Sequence, residues 1–263
     1  ANRVTVEAEN VILDPTRPYR NAAGGEELRD TLCRESVTYT VRRNNIEVTA
    51  SHRFCNAAPV TIAIYYGMQS MFEGETHVLT PGGAYTDWTE VAKASTFTKQ
   101  EHPLFRRYVE KNRQGYQSTW LLPDGLGDHA LLDGQDDIFI YAPYGKSYHK
   151  LIGNKRMENG DKTCWRGVYT WFETPIADDA DLLCYEGSVG GHTAVFIDCK
   201  RACKRTLALP GYLDLRHFGT AEQNSGIRIS AAGRNKLKIK AGAPGSCVSV
   251  SYTHLRAHET DSY

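Results

Sequence analysis

Three stretches concentrate the side chains that could move protons or grip a sugar. Tyr144 to Lys150 reads Tyr-Gly-Lys-Ser-Tyr-His-Lys and holds phenols, an imidazole and two ammonium groups. Abstracting a proton beside a uronate carboxylate needs a base, a proton donor and a positive group to hold the enolate-like anion. Tyr148, His149, Lys146 and Lys150 supply those types; the same residues also suit a solvated turn entering a strand, with Tyr148 packed inward. Cys164 to Glu173 reads Cys-Trp-Arg-Gly-Val-Tyr-Thr-Trp-Phe-Glu. On a strand, Trp165, Gly167, Tyr169, Trp171 and Glu173 share one face, because successive side chains alternate. Rings stack on the apolar faces of sugars, and a carboxylate binds hydroxyls or moves a proton, so this face suits a glycan cleft. A core strand with its glutamate at the rim is the plainer alternative. Tyr65 to Phe72 adds Tyr66 and Gln69 beside Met68, Met71 and Phe72, which belong more naturally to a core. The expected site therefore has Tyr148, His149 and Glu173 as catalytic groups. Trp165, Trp171, Tyr66, Gln69, Lys146 and Lys150 are its substrate-binding groups, and no metal or cofactor is expected.

Other candidates carry less. His52 falls on the apolar side of its strand and reads as a satisfied core histidine. Asp136-Asp137 and Asp178 to Asp181 read as exposed turns, and Lys200 to Arg205 as a solvated basic edge that discourages strand pairing. The seven cysteines are scattered and lack paired Cys-x-x-Cys spacing, so free thiols in a reducing compartment are the simplest reading. That leans toward the cytoplasm, with an exported protein whose leader is removed left open. No Gly-x-Ser-x-Gly elbow, dinucleotide fingerprint, P-loop or His-Glu-x-x-His is present, which disfavours the chemistries those motifs serve.

The elements that must position these groups read as strands. Val37 to Val41 and Ile46 to Phe54 alternate apolar and polar residues around Asn44-Asn45, as in an antiparallel hairpin with Ile46, Val48, Ala50 and Phe54 inward. Further strands are expected at Arg3 to Ala8, from Val60, at Asp137 to Ala142, Arg166 to Phe172, Thr193 to Asp198 and Gly226 to Ser230. Leu237 to Lys240 and Cys247 to Tyr252 read as a second hairpin around Ala241 to Ser246. Pro103 to Arg113 alone reads as helical, with proline in the first turn and Leu104, Phe105, Tyr108 and Val109 as a stripe. Strand after strand with one short helix predicts an all-β, antiparallel β-sandwich forming a single domain over residues 1–252. The irregular middle, from about Gly67 to Lys162, is where long loops point to a site.

Ile46 to Tyr66, with His-Arg-Phe-Cys-Asn before Ala-Ala-Pro-Val, resembles the strand-turn-strand rhythm of galactose-mutarotase-like supersandwich proteins. Cys164 to Glu173 and Thr193 to Cys199 are compatible with that architecture. The resemblance implies a supersandwich-like fold and a carbohydrate ligand; the family's catalytic histidine and glutamate have no matching motif here. The expected function is binding and processing of a sugar or oligosaccharide by a glycoside hydrolase, polysaccharide lyase or sugar epimerase. A non-catalytic glycan-binding module is the alternative. The chain has 31 basic and 31 acidic residues among 263, so neither nucleic acid nor an anionic membrane is an expected partner. Its longest apolar run, Val60 to Met68, is far short of the ~20 residues that cross a bilayer.

From Val250 onward the tail resembles translated sequencing-adapter read-through, so residues 253–263 are expected to be non-native, and His254 and His258 are set aside despite their spacing. Deleting 253–263 is expected to leave the thermal midpoint within a few degrees and solution behaviour unchanged, as checked by calorimetry and size-exclusion chromatography.

Overall fold

The computed structural model describes residues 3–71, 76–81, 85–90, 95–98, 107–122, 137–142, 146–213, 218–223 and 226–251. The expected tail and most of the 121–136 loop lie outside them. The first strands are β1 (Arg3–Leu13), β2 (Pro18–Arg20), β3 (Glu26–Leu28), β4 (Thr31–Arg42), β5 (Asn45–Phe54), β6 (Val60–Met71) and β7 (His77–Leu79). Next come β8 (Thr89–Glu90), β9 (Ser95–Thr98), β10 (Arg107–Asn112), β11 (Gly115–Leu121), β12 (Asp137–Ala142), β13 (Lys146–Met157) and β14 (Lys162–Phe172). The remainder are β15 (Ala177–Asp178), β16 (Leu182–Val189), β17 (His192–Cys199), β18 (Cys203–Ala208), β19 (Phe218–Gln223), β20 (Ile227–Ala231), β21 (Lys236–Ala241) and β22 (Gly245–Ser251). Every pairing among the described strands is antiparallel.

Where the sequence suggested one domain over 1–252, the chain divides into two compact units, Ala1–Glu173 and Thr174–Tyr263. Each unit buries its own core. In the first, an eight-stranded sheet runs β1-β4-β5-β14-β11-β10-β7-β8 and a four-stranded sheet runs β6-β13-β12-β9, beside the small β2-β3 hairpin. The two larger sheets meet through Val37, Val48, Ala50, Leu121 and Trp165 on one side and Met68 and Leu151 on the other. In the second unit, β15-β16-β17-β22-β19 packs on β18-β21-β20 through Leu182, Val195 and Ile197 against Leu207, Leu237 and Ile239.

Three further sequence expectations are corrected. No helix occurs among the described residues, and the helix expected over Pro103 to Arg113 is replaced from Arg107 by strand β10, paired with β7 and β11. Arg107, Tyr108, Val109 and Glu110 are all buried, so the strand is covered on both faces and its pattern does not alternate. The hairpin expected of the last two strands does not form: β21 pairs with β18 and β20, whereas β22 pairs with β17 and β19. The intervening loop carries the chain from one sheet to the other. The acidic run Asp178 to Asp181 and the basic run from Lys200 are partners rather than an exposed turn and a separate solvated edge. Lys200 Nζ lies 3.0 Å from Asp178, and Arg205 bonds Asp179 at 2.8 Å and Asp181 at 2.9 Å.

The sheets of the first unit approach closely at Gly167, and Gly67 makes room for Leu151 of its own sheet. A Cβ on Gly167 would collide with the Met68 side chain and sit 3.1 Å from the Trp120 carbonyl; one on Gly67 would strike Leu151. Met68 itself has φ 50°, at a bulge where Met68 and Gln69 of β6 oppose Tyr148 alone on β13. Gly167→Ala is therefore expected to destabilise the fold by about 1–3 kcal/mol through overpacking, read from the chemical-denaturation midpoint.

Candidate functional site

Register arithmetic lays out the inner face of the eight-stranded sheet. The β4–β5 hairpin turns at Arg43-Asn44, pairing Arg42 with Asn45, and this sets Glu35 opposite His52. Cross-strand rows follow: Asn10–Glu35–His52–Thr163, then Ala8–Val37–Ala50–Trp165, then Val6–Tyr39–Val48–Gly167. One polar row thus crosses an apolar face.

That row is bonded from end to end. Asn10 Nδ2 donates to Glu35 Oε1 at 2.9 Å, and Glu35 Oε2 is 2.8 Å from His52 Nε2. His52 Nδ1 is 3.1 Å from Thr163 Oγ1. With Nε2 protonated, the imidazole donates to the carboxylate and accepts from threonine, which satisfies both nitrogens. Trp165 Nε1 donates to the Tyr65 hydroxyl at 3.0 Å, and that hydroxyl is 3.4 Å from His52 Nε2. Burial pushes the Tyr65 phenol up to about 12, so it stays protonated at neutral pH. Within the Glu35–His52 pair, Glu35 keeps the greater access to water, at 22% against 5% for His52.

Beside this row lies a groove of about 240 Å³ lined by Glu35, Tyr39, Tyr66, Gln69, Trp165 and Tyr169 among others. Tyr39 is 39% exposed, whereas Trp165 is only 9% exposed. Beyond Tyr65 and His52 is a second, apolar cavity of about 200 Å³ that includes Phe54, Ile62 and Ile64. Tyr65 lines both.

The expected site residues separate into three places. Tyr66, Gln69 and Trp165 come together in the groove. Trp171 and Glu173 line a different, wider cavity of about 610 Å³ with Tyr116 and Gln117. Tyr148 is buried and stacked on Tyr66 at 4.6 Å between centroids, while Lys146 and Lys150 are half-buried opposite Met71 and Tyr66. His149 is 2% exposed with its ring 5.2 Å from that of Tyr108, and burial holds its pKa down to about 3. It is a neutral interior imidazole. Glu35 and Tyr39 were not among the expected site residues, Tyr65 entered only as one of the two phenols of its segment, and His52 was assigned to the core alone. Placing the hairpin turn one residue later, at Asn44-Asn45, shifts the pairing by two and hides the Glu35–His52 pair.

A second buried cluster lies between the sheets. Glu110 Oε2 is 2.7 Å from Ser70 Oγ, Glu110 Oε1 is 2.5 Å from Ser147 Oγ, and the two serine oxygens are 2.6 Å apart. Three contacts need three protons. The serine hydroxyls supply two, and with the Tyr108 hydroxyl 3.2 Å from Ser70 Oγ and 3.1 Å from Ser147 Oγ in the same cluster, the short contacts favour a protonated carboxyl. Burial pushes its pKa up to about 7, against the opposing serine bonds.

No known protein family matches this chain, and no curated protein matches it. Among the described residues, no helix is long and apolar enough to cross a membrane and no group of three or more His, Cys, Asp or Glu could hold a metal ion.

The folded state binds the Glu110 proton more tightly than the unfolded chain does, so its contribution to stability is full below about pH 4.5 and is lost as pH rises through about 7. The expected loss is up to about 3 kcal/mol across that window, and Glu110→Gln should flatten the corresponding part of a stability-versus-pH profile from urea denaturation.

Proposed function

We propose that the first unit binds a sugar or oligosaccharide in the groove between β4, β5, β6 and β14. The observation that carries this reading is an aromatic groove with one oriented, water-accessible carboxylate at its side. Tyr39 and Tyr66 offer ring area for stacking on a pyranose, while Gln69 and Glu35 offer polar atoms for its hydroxyls. The supersandwich-like architecture expected from the sequence resemblance belongs to the same proposal. Two antiparallel sheets sharing one core support it.

The Glu35–His52 bond favours a processing activity over mere retention. A carboxylate held by Asn10 and His52 is oriented for proton transfer, and the imidazole can compensate charge as the carboxylate gains or loses a proton. In this reading Glu35 replaces Glu173, and the Glu35–His52 pair replaces Tyr148 and His149. Hydrolase, lyase and epimerase chemistries all need such a group, whereas a glycan-binding module needs only the rings and hydroxyl partners.

A glycan array followed by reducing-end and unsaturated-uronate assays separates these outcomes. Tyr39→Ala is expected to weaken glycan binding by about three- to tenfold, the worth of one aromatic contact, with an unchanged thermal midpoint. Glu35→Gln should abolish turnover while binding stays within a few-fold. A Glu35→Gln variant that still turns over substrate removes the catalytic assignment, and an array with no bound glycan removes the carbohydrate reading.

A further inference from the structure

β1 is the outermost strand of its sheet; it pairs with β4 along its whole length and with no other described strand. A bare edge presents a row of backbone donors and acceptors, and proteins that keep such an edge single interrupt it with proline, inward lysine or a bulge. β1 contains neither proline nor lysine, and its first register shift comes only at Ile12 and Leu13. Val4 is 56% and Val6 50% exposed, although they extend the apolar rows of Val41 and Ile46 and of Tyr39 and Val48. Those rows run to the edge and stop in water.

We propose that β1 pairs with β1 of a second copy of this chain, antiparallel about a twofold axis at Val6. Residues directly opposite in a sheet share a face, so the axis must pass through one residue; charge, overlap and the regular stretch before the shift at Ile12 and Leu13 select which. Centred on Ala8, the longest overlap sets Glu7 against Glu9 twice; centred on Glu7, the two Glu7 carboxylates meet on the axis. Like charges directly opposite are unfavourable. Centred on Thr5, only Arg3 to Glu7 of the described strand overlap. Centred on Val6, Arg3 meets Glu9 of the second copy twice, Thr5 meets Glu7, Val4 meets Ala8, and the two Val6 side chains meet. The outer face is then charge-complementary and the inner face apolar, and the rows ending at Val4 and Val6 continue into the second copy.

Sedimentation equilibrium of the full chain at low ionic strength over a wide concentration range tests this. The wild type is expected to be a reversible dimer. Val6→Lys places two ammonium groups on the axis at an exposed position and should give a monomer with an unchanged thermal midpoint. Arg3→Glu and Glu9→Arg should each weaken association by about tenfold, since each converts two attractive pairs into two repulsive ones. The double variant should restore wild-type association. A wild type that stays monomeric, a dimer that survives Val6→Lys, or a double variant that fails to recover overturns the proposal.

Discussion

The turn at Arg43 and Asn44 fixes the geometry on which the first unit depends. Arg43 takes φ 45°, which lets the chain reverse in two residues and pairs Arg42 with Asn45. The turn is also tied to the next strand. Asn44 Nδ2 donates to the Trp171 carbonyl at 2.8 Å, the Trp171 amide returns a bond to Asn44 O at 2.9 Å, and Thr170 Oγ1 donates to the buried Asn45 Oδ1 at 2.6 Å. Three strands are thereby locked in register at one end. A slip of one residue would turn every side chain of β5 to the opposite face, exposing Val48, Ala50 and Phe54. The polar row at Glu35 and the aromatic row at Trp165 are consequences of that lock.

Register positions the rows, but the four-stranded sheet decides which of them are covered. Gly167 removes the side chain that would hold the sheets apart, and Met68 fills the space at a bulge with left-handed backbone. A non-glycine residue in that conformation costs on the order of 1 kcal/mol or more, which the surrounding packing must offset. The same close approach seals Glu110, Ser70 and Ser147 away from water. A buried carboxylate there would leave the short serine–serine contact without a proton, so dehydration and hydrogen-bond counting point to the same neutral carboxyl. The interior tolerates this polar ring because each of its contacts has a donor.

Alternation made the strands legible in the sequence. Val48, Ala50 and Phe54 are buried as their spacing required, and Trp165, Gly167, Tyr169 and Trp171 lie on one face. What a single strand cannot reveal is its partner. Whether Trp165 and Trp171 enter one cleft depends on how far the second sheet extends over β14, and they line separate cavities. Tyr108 and Val109 looked helical because a strand covered on both faces loses its period of two. Tyr148 and His149 looked reactive because composition alone carries no burial. The glutamate and histidine that do meet are seventeen residues apart, and only the pairing rule of a correctly placed turn joins them.

The carboxylates of this chain illustrate how environment selects for chemistry. Asp178, Asp179 and Asp181 are held as counter-ions by Lys200 and Arg205, so their charge is already compensated by cations. Glu110 is buried, with burial pushing its pKa up, and cannot reach a solute. Glu35 differs from both: one oxygen accepts from an amide, the other faces an imidazole, and part of the side chain meets water beside a groove of rings. Exposure alone would leave it mobile, and burial alone would neutralise it. A carboxyl that is both oriented and reachable is the combination that proton transfer to a bound hydroxylated ligand requires. That is the physical ground on which the proposed site is centred on β4 and β5 rather than on the more conspicuous aromatic strand.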